Sequence, residues 1–259
     1  MLKQLNNLAY VVGGSGTIGN AVVKKFLDND IKVVILDIKF NKPKKNIKNL
    51  SYFRFDLKKI ELIGKLLDTC IKKYGCPNIL INAAYPVAKK WAKINYDNLK
   101  LNDLRNNVEF HLNSTAWCSI LVARKMKTKK IKGSIIFINS IYGILAQDIN
   151  LYKNTDININ PVYSLIKSSL VGFSKNLAGN YGSHGIRSNT IISGGLEGKI
   201  AGSYKKQQKS FKKKYSYKTL LNRMTISTDI SSAVYFLSTE ESSYITGTEI
   251  YVDGGYSAK

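Results

Sequence analysis

Tyr163 and Lys167 are the two residues whose types and spacing point most directly to chemistry. They stand four positions apart in a segment of helical periodicity, so their side chains are expected on one helix face. A free phenol has a pKa of about 10, and a neighbouring ammonium lowers that pKa by stabilising the phenolate. Tyr163 is therefore predicted to act as a general acid/base. Ser140, at the end of a predicted strand, is predicted to hydrogen-bond the substrate oxygen with which Tyr163 exchanges its proton.

A glycine-rich loop supplies a second candidate site, because it follows a predicted strand and precedes a predicted helix. Glycines allow a tight turn that brings backbone N–H groups to phosphate oxygens, and the helix N-terminus adds its positive end. A Walker A loop is excluded because Asn20 and Ala21 stand where that motif requires Lys and Ser or Thr. The loop therefore predicts a dinucleotide pyrophosphate site. Its predicted contacts are Gly13, Ser15, Gly16, Thr17, Ile18 and Gly19.

Asp37 ends the second predicted strand about 20 residues beyond this loop, where a dinucleotide site holds the adenosine ribose. Its carboxylate is predicted to accept hydrogen bonds from both ribose hydroxyls. The same carboxylate repels a 2′-phosphate by about 4 kcal/mol per charge pair, at about 4 Å and an effective dielectric of about 20. NAD is therefore favoured over NADP as the cofactor, although Lys39 and Lys42 reduce the repulsion.

The elements that must position these groups alternate between short β-branched runs and longer helical segments, a pattern typical of βαβ units. Two apolar stripes predict core-facing helices: Leu104, Val108, Leu112, Ala116 and Ile120, then Ile166, Leu170, Phe173 and Leu177. Strands are predicted at 8–12, 32–37, 50–55, 78–82, 134–139, 187–192 and 249–252. The predicted fold is α/β: a single Rossmann domain over residues 1–259, with a doubly wound parallel sheet of about seven strands.

Two segments are predicted to be insertions. Residues 147–160 are polar and lack periodicity, while residues 196–220 are rich in lysine and tyrosine and have helical character. The second segment is predicted to form a lid over the substrate. Its charge is compatible with an anionic sugar as substrate.

The formal charge of +23 invites a nucleic-acid interpretation, but only five of the 40 basic residues are arginine and the lysines are spread along the chain. Nucleic-acid readers favour Arg clustered on one element, so a solvated surface is preferred. No apolar run reaches the length of a membrane span, and no export signal is expected. Cys70, Cys76 and Cys118 have no CxxC spacing and are predicted to be reduced. We expect a cytoplasmic protein with no metal site, no membrane partner and no nucleic-acid partner.

Taken together, the motifs resemble the classical short-chain dehydrogenase/reductase family over nearly the whole chain. The segments that carry the resemblance are Gly13–Gly19, Asp56-Leu57, Asn82-Ala83-Ala84, Ser140, Tyr163-Ser164-Leu165-Ile166-Lys167, Ile245-Thr246-Gly247 and Val252-Asp253-Gly254-Gly255. The resemblance implies an NAD(P)-dependent oxidoreductase that moves hydride between nicotinamide and a substrate alcohol or carbonyl. It also implies a homodimer or homotetramer. The cofactor contacts that it implies are Asp56, Leu57, Asn82, Ala83, Ala84, Tyr163, Lys167, Gly194 and Leu196.

Several positions depart from the family pattern. Thr17 occupies a usual glycine position, which is also compatible with the extended branch that acts on nucleotide sugars as epimerases or dehydratases. His111 falls where the family often has a catalytic asparagine, and Asn113 lies two residues away. Two interpretations of His111 stay open: a structural helix histidine, or a member of a proton relay through Lys167.

A closer resemblance concerns the substrate. Tyr85-Pro86, residues 140–143 and the insertion at 147–160 resemble short-chain dehydrogenases of bacterial surface-sugar pathways, notably those of flagellin glycosylation and nonulosonic acids. It implies a sugar or sugar derivative as the substrate. The alternatives from other classes are a non-catalytic dinucleotide-binding regulator, which has no need of Tyr163 and Lys167, and a nucleic-acid binder, which predicts strongly salt-dependent association.

Overall fold

A computed structural model of the chain describes residues 7–39, 47–86, 88, 91–155, 157–198 and 205–259. Within them, each predicted strand is confirmed, and its ends differ from the prediction by no more than one residue. The strands are β1 (Leu8–Val12), β2 (Lys32–Asp37), β3 (Leu50–Arg54), β4 (Ile79–Asn82), β5 (Gly133–Ser140), β6 (Ile186–Ser193) and β7 (Glu249–Val252).

The strands form one seven-stranded sheet in the order β3-β2-β1-β4-β5-β6-β7. The pairings are parallel, for example Val12 with Leu36 on one side of β1 and with Asn82 on the other. The chain therefore winds in opposite directions from β1, and a crevice opens between the carboxyl ends of β1 and β4. The predicted doubly wound Rossmann sheet is confirmed. The apolar strand sequences explain it, because strands covered on both faces must be apolar on both faces.

Helices cover both faces of the sheet. One face carries α1, which packs on β1 and β2, and α8, which packs on β5 and β6. Val22 and Phe26 of α1 and Val234 of α8 belong to the same buried apolar cluster. The other face carries α2, α4 and α6. Leu67 of α2 and Leu170 of α6 belong to the large buried apolar cluster on this face. The helices are α1 (Thr17–Leu27), α2 (Ile63–Tyr74), α3 (Leu101–Asn107), α4 (Ser114–Thr128), α5 (Ile149–Tyr152), α6 (Pro161–Tyr181), α7 (Lys209–Lys218) and α8 (Ser227–Ser238).

The helical segment from α3 to α4 departs from the prediction because a π-helical turn, Val108–Asn113, interrupts it. The predicted stripe from Leu104 to Ile120 is only partly buried. Up to Ser119 the buried face instead carries mainly small or polar residues, and apolar side chains such as Val122 and Met126 follow. The polar residues are satisfied internally: the Ser119 hydroxyl donates to the Thr115 carbonyl at 2.7 Å and accepts from the Asn82 amide at 3.1 Å. The second predicted stripe is confirmed on α6, with Ile166, Leu170 and Leu177 buried. The buried residues of the first segment are Asn107, His111, Ser114, Thr115, Cys118, Ser119, Val122, Ala123 and Met126.

The two predicted insertions each contain a helix in their described parts, namely α5 within 147–160 and α7 within 196–220. Residues 199–204 and Lys42 lie outside the described residues. No helix in the described part of the chain combines the length and the apolar character needed to cross a membrane.

Candidate active site

The glycine loop connects β1 to α1 and leaves room for a ligand above its backbone. Gly13 has a φ of +79°, and a Cβ atom there would lie 2.5 Å from the Ala84 backbone. A Cβ atom at Gly19 would overlap the Gly13 carbonyl oxygen. Because α1 begins at Thr17, the backbone N–H groups of its first turn have no intrahelical acceptor. The loop therefore offers a cradle of backbone hydrogen-bond donors that suits a pyrophosphate.

Asp37 lies at the end of β2, beside this cradle. Its carboxylate accepts the Ser15 N–H at 3.0 Å and the Ile38 N–H at 2.7 Å. These bonds fix the carboxylate next to the loop, at the carboxyl edge of the sheet. Asp56 turns the chain after β3 through a hydrogen bond from the Lys58 N–H to its carboxylate at 3.0 Å.

One cavity of about 860 Å³ joins these groups to the predicted catalytic residues. Three predicted site residues do not line it: Gly19, Asn82 and His111. Gly19 packs against Gly13, and the Asn82 amide bonds to Ser119. The predicted residues that do line it are Gly13, Ser15, Gly16, Thr17, Ile18, Asp37, Asp56, Leu57, Ala83, Ala84, Ser140, Tyr163, Lys167, Gly194 and Leu196.

The start of α6 positions Tyr163 and Lys167. The Asn160 side chain caps the helix by accepting the Val162 N–H at 3.0 Å, and Pro161 takes the first helical position, a favourable combination at a helix start. The Asn139 amide at the end of β5 donates to the Lys167 carbonyl at 2.8 Å. This bond fixes α6 against the strand that carries Ser140.

Ser140, Tyr163 and Lys167 converge in this cavity. The Ser140 hydroxyl lies close to the Tyr163 phenol, and hydrogen bonding from it acts to lower the Tyr163 pKa. The Lys167 Nζ atom lies over the Tyr163 ring, 5.8 Å from its centroid, and donates to the Ile138 carbonyl at 3.1 Å. Burial lowers the pKa of Lys167 to about 8. The cavity thus contains a phenol, a hydroxyl and a desolvated amine at one place.

The predicted lowering of the Tyr163 pKa is wrong for the chain by itself. Burial of the phenol raises its pKa and outweighs the Ser140 hydrogen bond. The physical reason is that the Lys167 ammonium faces the ring and bonds to Ile138. A second positive charge that would stabilise the phenolate, that of oxidised nicotinamide, requires bound cofactor.

His111 lies in the π-helical turn, buried against the ring of Tyr85 at a centroid distance of 5.0 Å. Burial first, and the charge of Lys167 second, hold its pKa well below the usual range. Its imidazole is therefore neutral at physiological pH. Asn113 is exposed and donates to the Glu109 carboxylate at 2.6 Å, so it does not reach the site.

The far end of the cavity is lined by aromatic and amide side chains that the sequence patterns did not assign. Tyr85 forms a bridge: its ring lies 5.8 Å from that of Tyr163 and 5.5 Å from that of Trp91. Tyr215 of α7 bonds to the Gly195 N–H, which holds α7 against the loop after β6. The sequence signals for this end were the resemblance carried by Tyr85-Pro86, residues 140–143 and the insertion at 147–160, and the tyrosine-rich segment 196–220. Its lining residues are Tyr85, Trp91, Tyr142, Gln147, Tyr152, Asn158, Phe211, Tyr215 and Met224.

A known protein family accounts for this active-site geometry. The family model described as enoyl-(acyl carrier protein) reductase, which belongs to the short-chain dehydrogenases, matches residues 13–257. The chain belongs to the short-chain dehydrogenase/reductase family. It is therefore an oxidoreductase of the family's nicotinamide-dependent type, as the sequence predicted.

Individual relatives match this short-chain dehydrogenase/reductase over almost its full length. Post-translational flagellin modification protein A of Campylobacter coli is 29% identical over 259 residues, covering 97% of this chain and 98% of that protein. The 3-oxoacyl-(acyl-carrier-protein) reductase of Buchnera aphidicola is 31% identical and covers 98% of both chains. The first relative agrees with the predicted resemblance to flagellin-modifying enzymes.

Solved structures share the fold. A short-chain dehydrogenase of Leptospira borgpetersenii with bound NAD+ superposes with a TM-score of 0.84 at 29% identity, covering 97% of this chain and 92% of that one. A 4-hydroxyisoleucine dehydrogenase in complex with NADH gives a TM-score of 0.80 at 25% identity, covering 98% of this chain and 100% of the other.

Proposed function

We propose that this protein is an NAD-dependent dehydrogenase or reductase that acts on a hydroxyl or carbonyl carbon of a sugar or sugar derivative. One observation carries the proposal: Ser140, Tyr163 and Lys167 meet in the cavity whose other end holds the glycine cradle and Asp37. A bound nicotinamide would supply or accept the hydride. The remaining chemistry, namely binding, orientation and proton transfer, falls to side chains of this chain.

Tyr163 is the proposed general acid/base. In the reducing direction its hydroxyl gives a proton to the carbonyl oxygen of the substrate, and in the oxidising direction its oxygen takes the proton of the substrate hydroxyl. Ser140 donates a hydrogen bond to the same substrate oxygen and so holds the reacting carbon in place. The Lys167 ammonium lies over the Tyr163 ring, 5.8 Å from its centroid, and together with the charge of bound oxidised nicotinamide it would favour the phenolate.

The dinucleotide contacts follow from the cradle. The N–H groups of Thr17 and Ile18 are available for the pyrophosphate, and Asp37, which the Ser15 N–H holds in place, is positioned to accept the adenosine ribose hydroxyls. A carboxylate at that position disfavours the additional phosphate of NADP. The NAD+ bound to the Leptospira neighbour supports the same preference.

The sugar substrate rests on a different kind of support. The flagellin modification protein acts in the modification of flagellin, as its name states, and it is similar to this chain over nearly its full length. Aromatic and amide side chains at the far end of the cavity suit a hydroxylated ring. In this proposal residues 1–259 form one nucleotide-binding domain, and residues 196–220 cover the substrate.

Two further elements of the proposal concern the state of the protein in the cell. Three free thiols, at Cys70, Cys76 and Cys118, support a reducing, cytoplasmic location. Apolar side chains exposed on two neighbouring helices, Trp117 and Leu165, support assembly into a homodimer or homotetramer. Sedimentation at several protein concentrations measures the assembly directly.

The experiment that tests the function compares the wild type with Tyr163→Phe. NADH binding is measured by fluorescence, and turnover is measured on a panel of hydroxy and keto sugars. We expect Tyr163→Phe to bind NADH normally and to lose at least about 100-fold in turnover, because it lacks the transferable proton. The exposed Tyr217→Phe serves as the matched control and should retain both properties. Failure of the wild type to bind NADH, or full turnover by Tyr163→Phe, would contradict the proposal.

A further inference from the structure

We infer that the far end of the cavity receives an uncharged, hydroxyl-bearing ring, and that Tyr142 and Tyr152 determine this specificity. The inference rests on the proposed function, since it names the substrate class of the same site. It differs from the sequence-based expectation of an anionic sugar. Four observations support it: a phenol pair, two amide oxygens, the direction of the lysines on α7, and the aromatic walls.

The phenol pair lies in the same cavity as the catalytic serine, two residues beyond it along the chain for Tyr142. The Tyr152 hydroxyl donates to the Tyr142 hydroxyl at 2.8 Å, and the Tyr142 N–H donates to the Ser140 hydroxyl oxygen at 3.2 Å. Both rings line the cavity. Ser140 lines the same cavity, so a substrate whose reacting oxygen sits at Ser140 shares that cavity with these phenols.

The pair offers oxygen lone pairs rather than positive charge. Burial raises the pKa of both phenols, so they stay neutral. Because Tyr152 donates to Tyr142, the Tyr152 oxygen retains lone pairs for a ligand. A substrate hydroxyl can donate to that oxygen, whereas a carboxylate or phosphate has only lone pairs of its own.

Two amides at the same end add further acceptors. The Asn158 amide nitrogen donates to the Ala92 carbonyl at 2.9 Å, and the Gln147 amide nitrogen makes a long 3.5 Å contact to the Ser164 hydroxyl. No described residue donates to either amide oxygen. Both side chains line the cavity, so these oxygens extend the set of acceptors available to substrate hydroxyls.

The lysines of α7 face away from this end. Phe211 and Tyr215 form the buried side of the helix, whereas Lys213 and Lys214 are exposed. Lys212 pairs with Glu197 at 2.7 Å, and Lys218 pairs with Asp148 at 2.9 Å. The positive charge of the segment is thus directed to its outer surface.

Cations are also scarce inside the cavity. Among the described residues that line it, the cations are Lys167, which donates to Ile138, and Lys39 and Lys58, which lie beside Asp37 and Asp56. A buried anion at the far end would lose its hydration without gaining an opposite charge from any described residue there, which costs several kcal/mol at least. Trp91 and Phe211 instead present apolar faces that suit the C–H surface of a saturated ring.

The test measures ligand affinity of the NADH-loaded protein by tryptophan fluorescence. The probes are glucose, galactose and N-acetylglucosamine, each compared with its 6-phosphate, together with glucuronate. We expect neutral hexoses to bind at least about 10-fold more tightly than glucuronate or the phosphates. Tyr152→Phe and Tyr142→Phe should each weaken neutral hexose binding about 3- to 10-fold, the effect of one neutral hydrogen bond. A deoxy sugar that lacks the hydroxyl bound by a phenol should bind equally to the wild type and to the variant without that phenol.

Controls separate this inference from the proposed function. Tyr217→Phe, an exposed tyrosine on α7, should bind every probe as the wild type does. NADH binding and a melting temperature near that of the wild type show that each phenol variant is folded, and Gln147→Leu provides a second perturbation of the acceptor set. Tighter binding of the charged probes, no probe binding to NADH-loaded protein, or no effect of the phenol and glutamine substitutions would each overturn the inference. Loss of NADH binding in the wild type would instead refute the proposed function.

Discussion

Lys167→Met tests whether the active site carries a desolvated charge at the expense of stability. Lys167 is only 6% exposed, and burial lowers its pKa from 10.5 to about 8. At pH 7 both the folded and the unfolded states carry the ammonium, but the folded state holds it at a cost of about 3 kcal/mol. Met keeps the apolar stem and removes the charge. It also removes the hydrogen bond to the Ile138 carbonyl, which offsets about 1 to 2 kcal/mol of the gain.

The variant is therefore expected to be more stable than the wild type at pH 7 by about 1 to 2 kcal/mol, and much less active. The sign of the pH dependence follows from the lowered pKa. Between pH 8 and 10.5 the unfolded lysine binds a proton that the folded one does not, so wild-type stability rises with pH relative to the variant. The difference should shift by about 2 kcal/mol toward the wild type between pH 7 and pH 9.5.

Urea denaturation at both pH values measures this difference, with Lys72→Met as the matched control at an exposed helix position. Comparing each variant with the wild type at the same pH cancels the titration of the other lysines. If Lys167→Met is destabilising at pH 7 and its difference from the wild type does not move with pH, the ammonium is not desolvated and the reasoning is refuted.

Three further predictions concern residues around the same cavity. His111→Asn should leave the pH profile of turnover unchanged between pH 6 and 9, because the imidazole pKa lies well below the usual range; a lost limb in the profile would show that it titrates there. Asp37→Asn should reduce the preference for NAD over NADP, because it removes the charge that repels the 2′-phosphate. The reduction should be only about 5- to 30-fold, since Asp37 is partly exposed and its repulsion is screened. The same ratio of the NADP Kd to the NAD Kd in the wild type and in the variant would contradict this. Tyr85→Phe should not lower the melting temperature, because the Tyr85 hydroxyl is buried and bonds to no described residue; a loss of more than about 1 kcal/mol would reveal a partner.

The strands were predictable because their cause is local. A strand covered on both faces must be apolar on both faces, and runs such as Val33–Leu36 therefore mark it directly. The cradle was predictable for a similar reason, since Gly13 needs a positive φ and close contact with Ala84, and few other sequences permit both. Ser140, Tyr163 and Lys167 could be located because a strand end and a helix start fix them.

The aromatic end of the cavity could not be predicted because it is assembled from distant segments. Tyr142, Tyr152 and Phe211 come from three separate elements, and their rings meet at centroid distances of 6.4 Å and 5.8 Å. Periodicity describes one element at a time and carries no information on such meetings. The same limit explains why the lysines of α7 suggested an anionic substrate: the composition of the segment gives its charge, but only packing shows that Phe211 faces inward and the lysines outward.

His111 shows how one local irregularity changes the chemistry that a helix can present. A π-helical turn contains an additional residue, so it rotates the residues that follow relative to a regular helix. The predicted apolar stripe from Leu104 consequently moves to the flank, and His111 is buried beside Tyr85 and close enough to Lys167 for the ammonium to lower the imidazole pKa. Small polar residues such as Ser119 then fill the core-facing side and bond within it. A neutral histidine held in this way can orient the groups around Lys167 but does not gain a charge at physiological pH, which is why His111→Asn separates a positioning role from a titrating one.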